Sequence, residues 1–178
     1  MPTIFTHPAV PLGIAPWFRR VPMSLVVLAA VCSAVPDVDV IGFRFGIPYG
    51  APLGHRGLTH SILFAVVLAA VVAFAYARFT TIPFQTAFTF LFVAIASHGM
   101  LDAMTNGGRG IGFFIPFSNR RYFLPWRPIR VSPIGAEGFA AKARVVLASE
   151  LRWVWLPFAT IALIGFMVRV SRRPASAR

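Results

Sequence analysis

Seven side chains in this sequence are of the types that hold metal ions: His7, Asp37, Asp39, His55, His60, His98 and Asp102. They comprise all four histidines and three of the five acidic residues. Imidazole nitrogen combined with carboxylate oxygen suits zinc first, with manganese or iron as alternatives. The chemistry such a set supports is hydrolysis, in which a divalent cation activates water against an ester or phosphoester. Cys32 is the single cysteine and falls inside an apolar run, which excludes an internal disulfide and a cysteine-based zinc site. Seven candidates exceed the four ligands of one closed zinc site, so the set accommodates one ion with a supporting shell, or two ions.

Spacing assigns these residues to elements. His98 and Asp102 are four apart and share one face of a helix, a good geometry for two ligands to one ion. His55 and His60 are five apart with Gly57 between them, which does not fit one helix face. A turn leading into a helix fits, with His60 near the first turn, His55 reaching back from the loop, and Thr59 or Ser61 of the kind that starts helices. Asp37 and Asp39 follow Pro36, where an apolar helix ends, and either could serve as general base. His60, His98 and Asp102 are the first-choice ligands, Asp37 and His55 the next, and His7 and Asp39 complete the set. Arg56, Arg120 and Arg121 are the groups suited to hold an anionic phosphate; Arg56, a catalytic candidate, is equally suited to pair with a lipid headgroup or a carboxylate.

The elements that position them belong to a membrane. Of 178 residues, 57% are hydrophobic and 12% charged, with a mean hydropathy of +0.74, well above ordinary soluble composition. The net charge of +12 is carried almost wholly by arginine, Lys142 being the one lysine. These arginines lie between and after apolar runs, a pattern that suits lipid headgroups rather than a DNA groove, so no direct nucleic-acid partner is expected.

Residues 1–18 are apolar but broken by Pro8, Pro11, Gly13 and Pro16, which predicts a short re-entrant or half-crossing helix beginning near His7. Apolar runs over 23–35, 61–79, 84–104 and 151–168 predict four spans. Arg19-Arg20 ahead of the first run imitates a secretory signal cleaved near Cys32-Ser33-Ala34, but residues before the pair include His7 and are read as part of the bundle. Residues 40–54 read as a Gly/Pro-rich loop, 109–135 as an interfacial segment rich in Pro, Arg and aromatics, and 136–149 as a separate interfacial helix. The prediction is an all-α polytopic bundle, one domain over 1–170 with a basic disordered tail over 171–178. Tracing its hairpins carries every histidine and Asp37, Asp39 and Asp102 to one end.

The order His, Pro-Asp-x-Asp (36–39), His-Arg-Gly-x-Thr-His-Ser (55–61) and Ser-His-x-x-x-Asp-x-x-Thr (97–105) resembles the YdjM-like family of bacteria and archaea. The Pro-Phe-Ser-Asn-Arg-Arg-Tyr segment (116–122) resembles that family's loop after the site. The resemblance covers roughly residues 5–135 and implies an inner-membrane, metal-dependent hydrolase, some members being labelled LexA-binding. The ligand order is also similar, more loosely, to helical zinc-dependent phospholipase C and nuclease families, whose later His and Glu ligands have no counterpart here. A site at a membrane face makes a lipid or lipid-linked phosphate the natural substrate class. Two other readings use the same residues: a metal or proton transporter, which needs ionisable groups at several depths, and a membrane-anchored regulatory interaction protein, which needs no buried His98–Asp102 pair.

Overall fold

A computed structural model describes residues 1–172. Among these residues there is helix and irregular chain but no strand, and four helices are long and apolar enough to cross a membrane. The first helix, α1 (Ala9–Ile14), continues as a 3-10 turn over Ala15–Trp17. Pro8 and Pro11 sit at its start, where a missing N–H costs no helical bond. Gly13 allows this short helix to lie tight against Phe158, and Trp17 Nε1 donates to the Ile161 carbonyl at 3.0 Å.

Helix α2 (Met23–Ala34) ends just before Pro36, close to the expected point, but the proline and two carboxylates do not open a loop. The chain continues helically as a 3-10 stretch, Val35–Phe45, so the expected loop begins later, at Gly46. Pro36 falls in the first turn of that stretch, where proline is tolerated, and Gly46, at φ 72°, ends it in the left-handed region. The narrower winding holds Asp37 and Asp39 on an ordered element.

Helices α3 (Ile62–Phe79) and α4 (Phe84–Ala103) form the central hairpin. Ser61 caps α3, its hydroxyl accepting from Phe64 N at 3.1 Å. Ala65, Ala69 and Ala73 recur every four residues on α3 and are fully buried, so the backbone approaches closely where it meets α4. Their opposite face, with Val67, Val71 and Phe74, is exposed, as lipid contact requires. Helix α4 is the most buried element and also packs on α2.

The expected separate interfacial helix is instead joined to the last span. Helix α5 (Ala136–Glu150) passes through a π turn, Leu151–Trp155, into α6 (Leu156–Ser171). Pro157 lacks an N–H and its ring presses on the carbonyl four residues back, within that wider turn, so the helix continues past it. At about 1.5 Å per residue the combined helix exceeds a hydrocarbon core of about 30 Å, leaving α5 and its exposed Glu137, Lys142 and Arg144 beyond the bundle. Helix α6 runs through Ser171, the first residue of the expected tail; residues 173–178 of that tail lie outside the described residues.

Candidate metal centre

The site forms where α4 meets the 3-10 stretch after α2 and the turn before α3. His98 Nδ1 donates to the Ser33 carbonyl at 2.7 Å, which leaves its Nε2 with a lone pair aimed inward. Leu58–His60 is a single 3-10 turn, and His60 Nδ1 lies 3.2 Å from Asp39 Oδ2. Thr59 Oγ1 donates to that same oxygen at 2.7 Å. This carboxylate–histidine arrangement turns His60 Nε2 toward His98 Nε2, 3.0 Å away.

Two carboxylates close the group. Asp37 Oδ1 is 3.3 Å from His98 Nε2 and 3.6 Å from His60 Nε2, and Asp102 Oδ2 is 3.4 Å from His60 Nε2. All four residues are buried. An ion bound tetrahedrally at about 2.0–2.2 Å would set its ligand atoms roughly 3.3–3.6 Å apart, so these spacings fit one small divalent cation.

Hydrogen bonding supports the same conclusion. Both oxygens of Asp37 and of Asp102 are buried without a hydrogen-bond partner, as are both nitrogens of His7. Buried polar atoms are ordinarily satisfied, and a carboxylate left bare in the interior is costly. Three carboxylates (Asp37, Asp39, Asp102) against one buried guanidinium, Arg56, leave an excess of negative charge that favours a bound cation. Burial works against a charge on His60, but the carboxylates of Asp102, Asp37 and Asp39 around it outweigh burial and raise this histidine to about 10. Burial, reinforced by His98, lowers His7 to about 3.

A family model described as YdjM inner membrane protein matches residues 1–175. The chain belongs to that family. It is similar to inner membrane protein YbcI of Escherichia coli (strain K12), at 39% identity over 160 residues covering 88% of this chain and 92% of the relative. No solved structure matches it. With four apolar helices of spanning length, this YdjM family member is a multi-pass protein of the inner membrane, in contact with the lipid bilayer.

All seven residues singled out by type lie together at one end of this bundle. His7 stacks on His98 with centroids 3.6 Å apart and an interplanar angle of 16°. Asp39 and His55 lie one layer outward: His55 Nδ1 is 2.6 Å from Asp39 Oδ1, and the other Asp39 oxygen takes Arg56 N, Thr59 and His60. Asp39, His55 and His60 also form a second group within ligand distance.

The three arginines differ. Arg56, fully buried at φ 63°, donates from Nη1 to the Gly107 carbonyl at 2.9 Å and from Nη2 to Thr105 Oγ1 at 3.1 Å. Gly108, at φ 91°, leaves the room that this guanidinium occupies. Arg121 donates to the carbonyls of His55, Arg56 and Ala51, each at 3.0 Å, bracing the loop between His55 and the 109–135 segment. Arg120 is exposed beside Tyr122.

Glu150 was not among the residues singled out by type, yet it is buried at the end of α5. It accepts from Thr3 N at 2.6 Å, Thr3 Oγ1 at 2.7 Å and Thr6 Oγ1 at 2.6 Å, tying down the segment that carries His7. The only signal for it was a carboxylate at the start of an apolar span.

Proposed function

We propose that this chain is a membrane-embedded hydrolase dependent on a divalent metal, zinc first, acting on an ester or phosphoester of a lipid-like molecule. The observation that carries this reading is the buried quartet of Asp37, His60, His98 and Asp102, in which both oxygens of Asp37 and Oδ1 of Asp102 have no hydrogen-bond partner. A divalent cation held by these residues would supply Lewis acidity, lowering the pKa of water toward neutrality and polarising a phosphoryl or carbonyl oxygen.

The protein's own groups supply the rest. Asp39 keeps His60 in the tautomer that presents Nε2, and the Ser33 carbonyl does the same for His98. Arg56 balances the charge of Asp102 and fixes its carboxylate, while exposed Arg120 is free to meet an anionic group at the membrane face. Asp37 is the quartet member that lines a groove of about 400 Å³, whose other walls include Ile4, Phe5, Val40, Ile134 and Phe139. Asp37 therefore joins the quartet to that groove. Apolar walls ending on an acidic floor suit an amphiphile with its polar bond innermost.

A transport pathway would need polar groups along the rest of the bundle. That part is closed by Leu25, Ala87, Phe90, Leu91 and Ile95, all buried and apolar, which favours the hydrolase.

The test is turnover by detergent-purified, zinc- or manganese-loaded protein on chromogenic phosphoesters, carboxylic esters and a mixed phospholipid extract. Metal-dependent hydrolysis that is lost in His98→Ala is expected. No turnover on any of the three, or equal rates in the variant, would overturn the reading.

A further inference from the structure

The quartet uses only half of the bare carboxylate oxygens. Asp37 directs Oδ1 to His60 and His98, and its Oδ2 lies 3.7 Å from His7 Nε2. Asp102 repeats the pattern, with Oδ2 toward His60 and Oδ1 4.0 Å from His7 Nε2. These outer oxygens and both His7 nitrogens are buried without a hydrogen-bond partner, and His7 itself is fully buried. We propose that the centre holds two divalent cations, the second bound by His7 Nε2, Asp37 Oδ2 and Asp102 Oδ1, with Asp37 and Asp102 bridging the pair.

The spacing fits. Ligands spread around an ion at about 2.1 Å stand roughly 3.6 Å apart, and each carboxylate oxygen lies near that distance from His7 Nε2. Carboxylates bridging through both oxygens hold ions about 3.5–4 Å apart, the separation typical of two-metal hydrolytic sites. Nothing else accounts for His7 here. Its ring is held flat against His98 by stacking, and Glu150 and Trp155 Nε1 anchor Thr6 next to it. A histidine immobilised this way, with neither nitrogen bonded, is arranged to receive a ligand.

The two positions also differ in what they leave open. The inner ion would have four protein ligands and the outer one three, so the outer one would leave more room for an incoming oxygen. Asp37, shared by both positions, is the cluster residue that lines the groove described above. The proposal rests on the metal-dependent reading above and assigns the less crowded position to the His7 ion.

Full-length protein in detergent, loaded with Mn²⁺ and freed of excess, distinguishes the outcomes by metal analysis and electron paramagnetic resonance. Two ions per chain with an exchange-coupled signal are expected, falling to one ion with an isolated six-line signal in His7→Ala and His7→Gln. The wild-type count and signal test the proposal even where a variant fails to fold. One ion per chain with an isolated signal in the wild type, or two ions retained in a folded His7 variant, would overturn the second site and leave the single-ion reading intact. No bound ion in the wild type would remove both.

Discussion

Arg56 Nε lies 3.2 Å from Asp102 Oδ2, and neither side chain reaches solvent. This arginine joins the loop before α3 to the end of α4 by one ion pair and two hydrogen bonds, to Gly107 O and Thr105 Oγ1. Removing one member of a buried pair strands the other charge, at a cost of about 3–5 kcal/mol. Arg56→Ala should therefore unfold far more readily than the wild type in a detergent thermal melt. Arg56→Lys keeps the charge but not the planar fork, so its midpoint should fall between the two. A melt of Arg56→Ala within a degree of wild type would show that Asp102 does not depend on it.

The protonation of His60 makes metal uptake pH-dependent. Burial disfavours its charge, but Asp102, Asp37 and Asp39 raise its pKa from 6.5 to about 10, so the metal-free protein carries a proton there at neutral pH. A cation on Nε2 must displace that proton. Calorimetry in two buffers of different ionisation enthalpy should show about one proton released per inner ion, with affinity rising about tenfold per pH unit below 10. Without metal the sign reverses. The contribution of a raised pKa is complete below 6.5 and is lost as pH rises toward 10, so the metal-free protein should melt earlier at pH 9 than at pH 6.5. An affinity independent of pH would contradict His60 as a ligand.

Much of the fold and the cluster was legible because the governing signals are local. Apolar runs marked α2, α3, α4 and α6, and the four-residue spacing of His98 and Asp102 gave their shared face. The hairpin order then carried His7, Asp37, Asp39, His55 and His60 to the same end. What could not be read depends on contacts between distant segments. Pro36 and Pro157 are breakers by type, yet one falls in the first turn of a 3-10 stretch and the other beside a π turn, so the chain stays helical past both. Arg56 is suited by type to a phosphate or a carboxylate alike, and packing selects Asp102; Arg121 looks like a phosphate binder, and only packing reveals that the backbone carbonyls of residues 51, 55 and 56 engage it. Glu150 takes its meaning from Thr3 and Thr6, more than 140 positions away.

The α3–α4 contact should tolerate no added bulk on one face and accept it on the other. Ala69 is fully buried, whereas Val71, two positions on, is 62% exposed. Ala69→Leu inserts three carbons where backbones approach closely, which costs about 1–3 kcal/mol by overpacking. Val71→Leu only lengthens a lipid-facing chain. Thermal melts of the two variants should show a clear loss for the first and none for the second. Equal midpoints would mean that α3 presents a different face to α4.

Glu150 offers a way to disturb the outer half of the centre without touching a ligand. Its carboxylate accepts three hydrogen bonds from Thr3 and Thr6, and Trp155 Nε1 donates to Thr6 Oγ1 at 3.2 Å. Glu150→Gln exchanges one acceptor oxygen for an NH₂ group, which cannot accept from the hydroxyls of Thr3 and Thr6. The segment bearing His7 should loosen, while His60, His98, Asp37 and Asp102, held by α4, the 3-10 stretch and the turn before α3, keep their places. Under a chelator titration of metal-loaded protein, Glu150→Gln should lose its weaker ion at lower chelator concentration than wild type, with the tighter ion unchanged. Loss of both ions together would show that Glu150 supports the whole fold rather than the placement of His7. No change in either would show that stacking on His98 alone is enough to hold His7 in position.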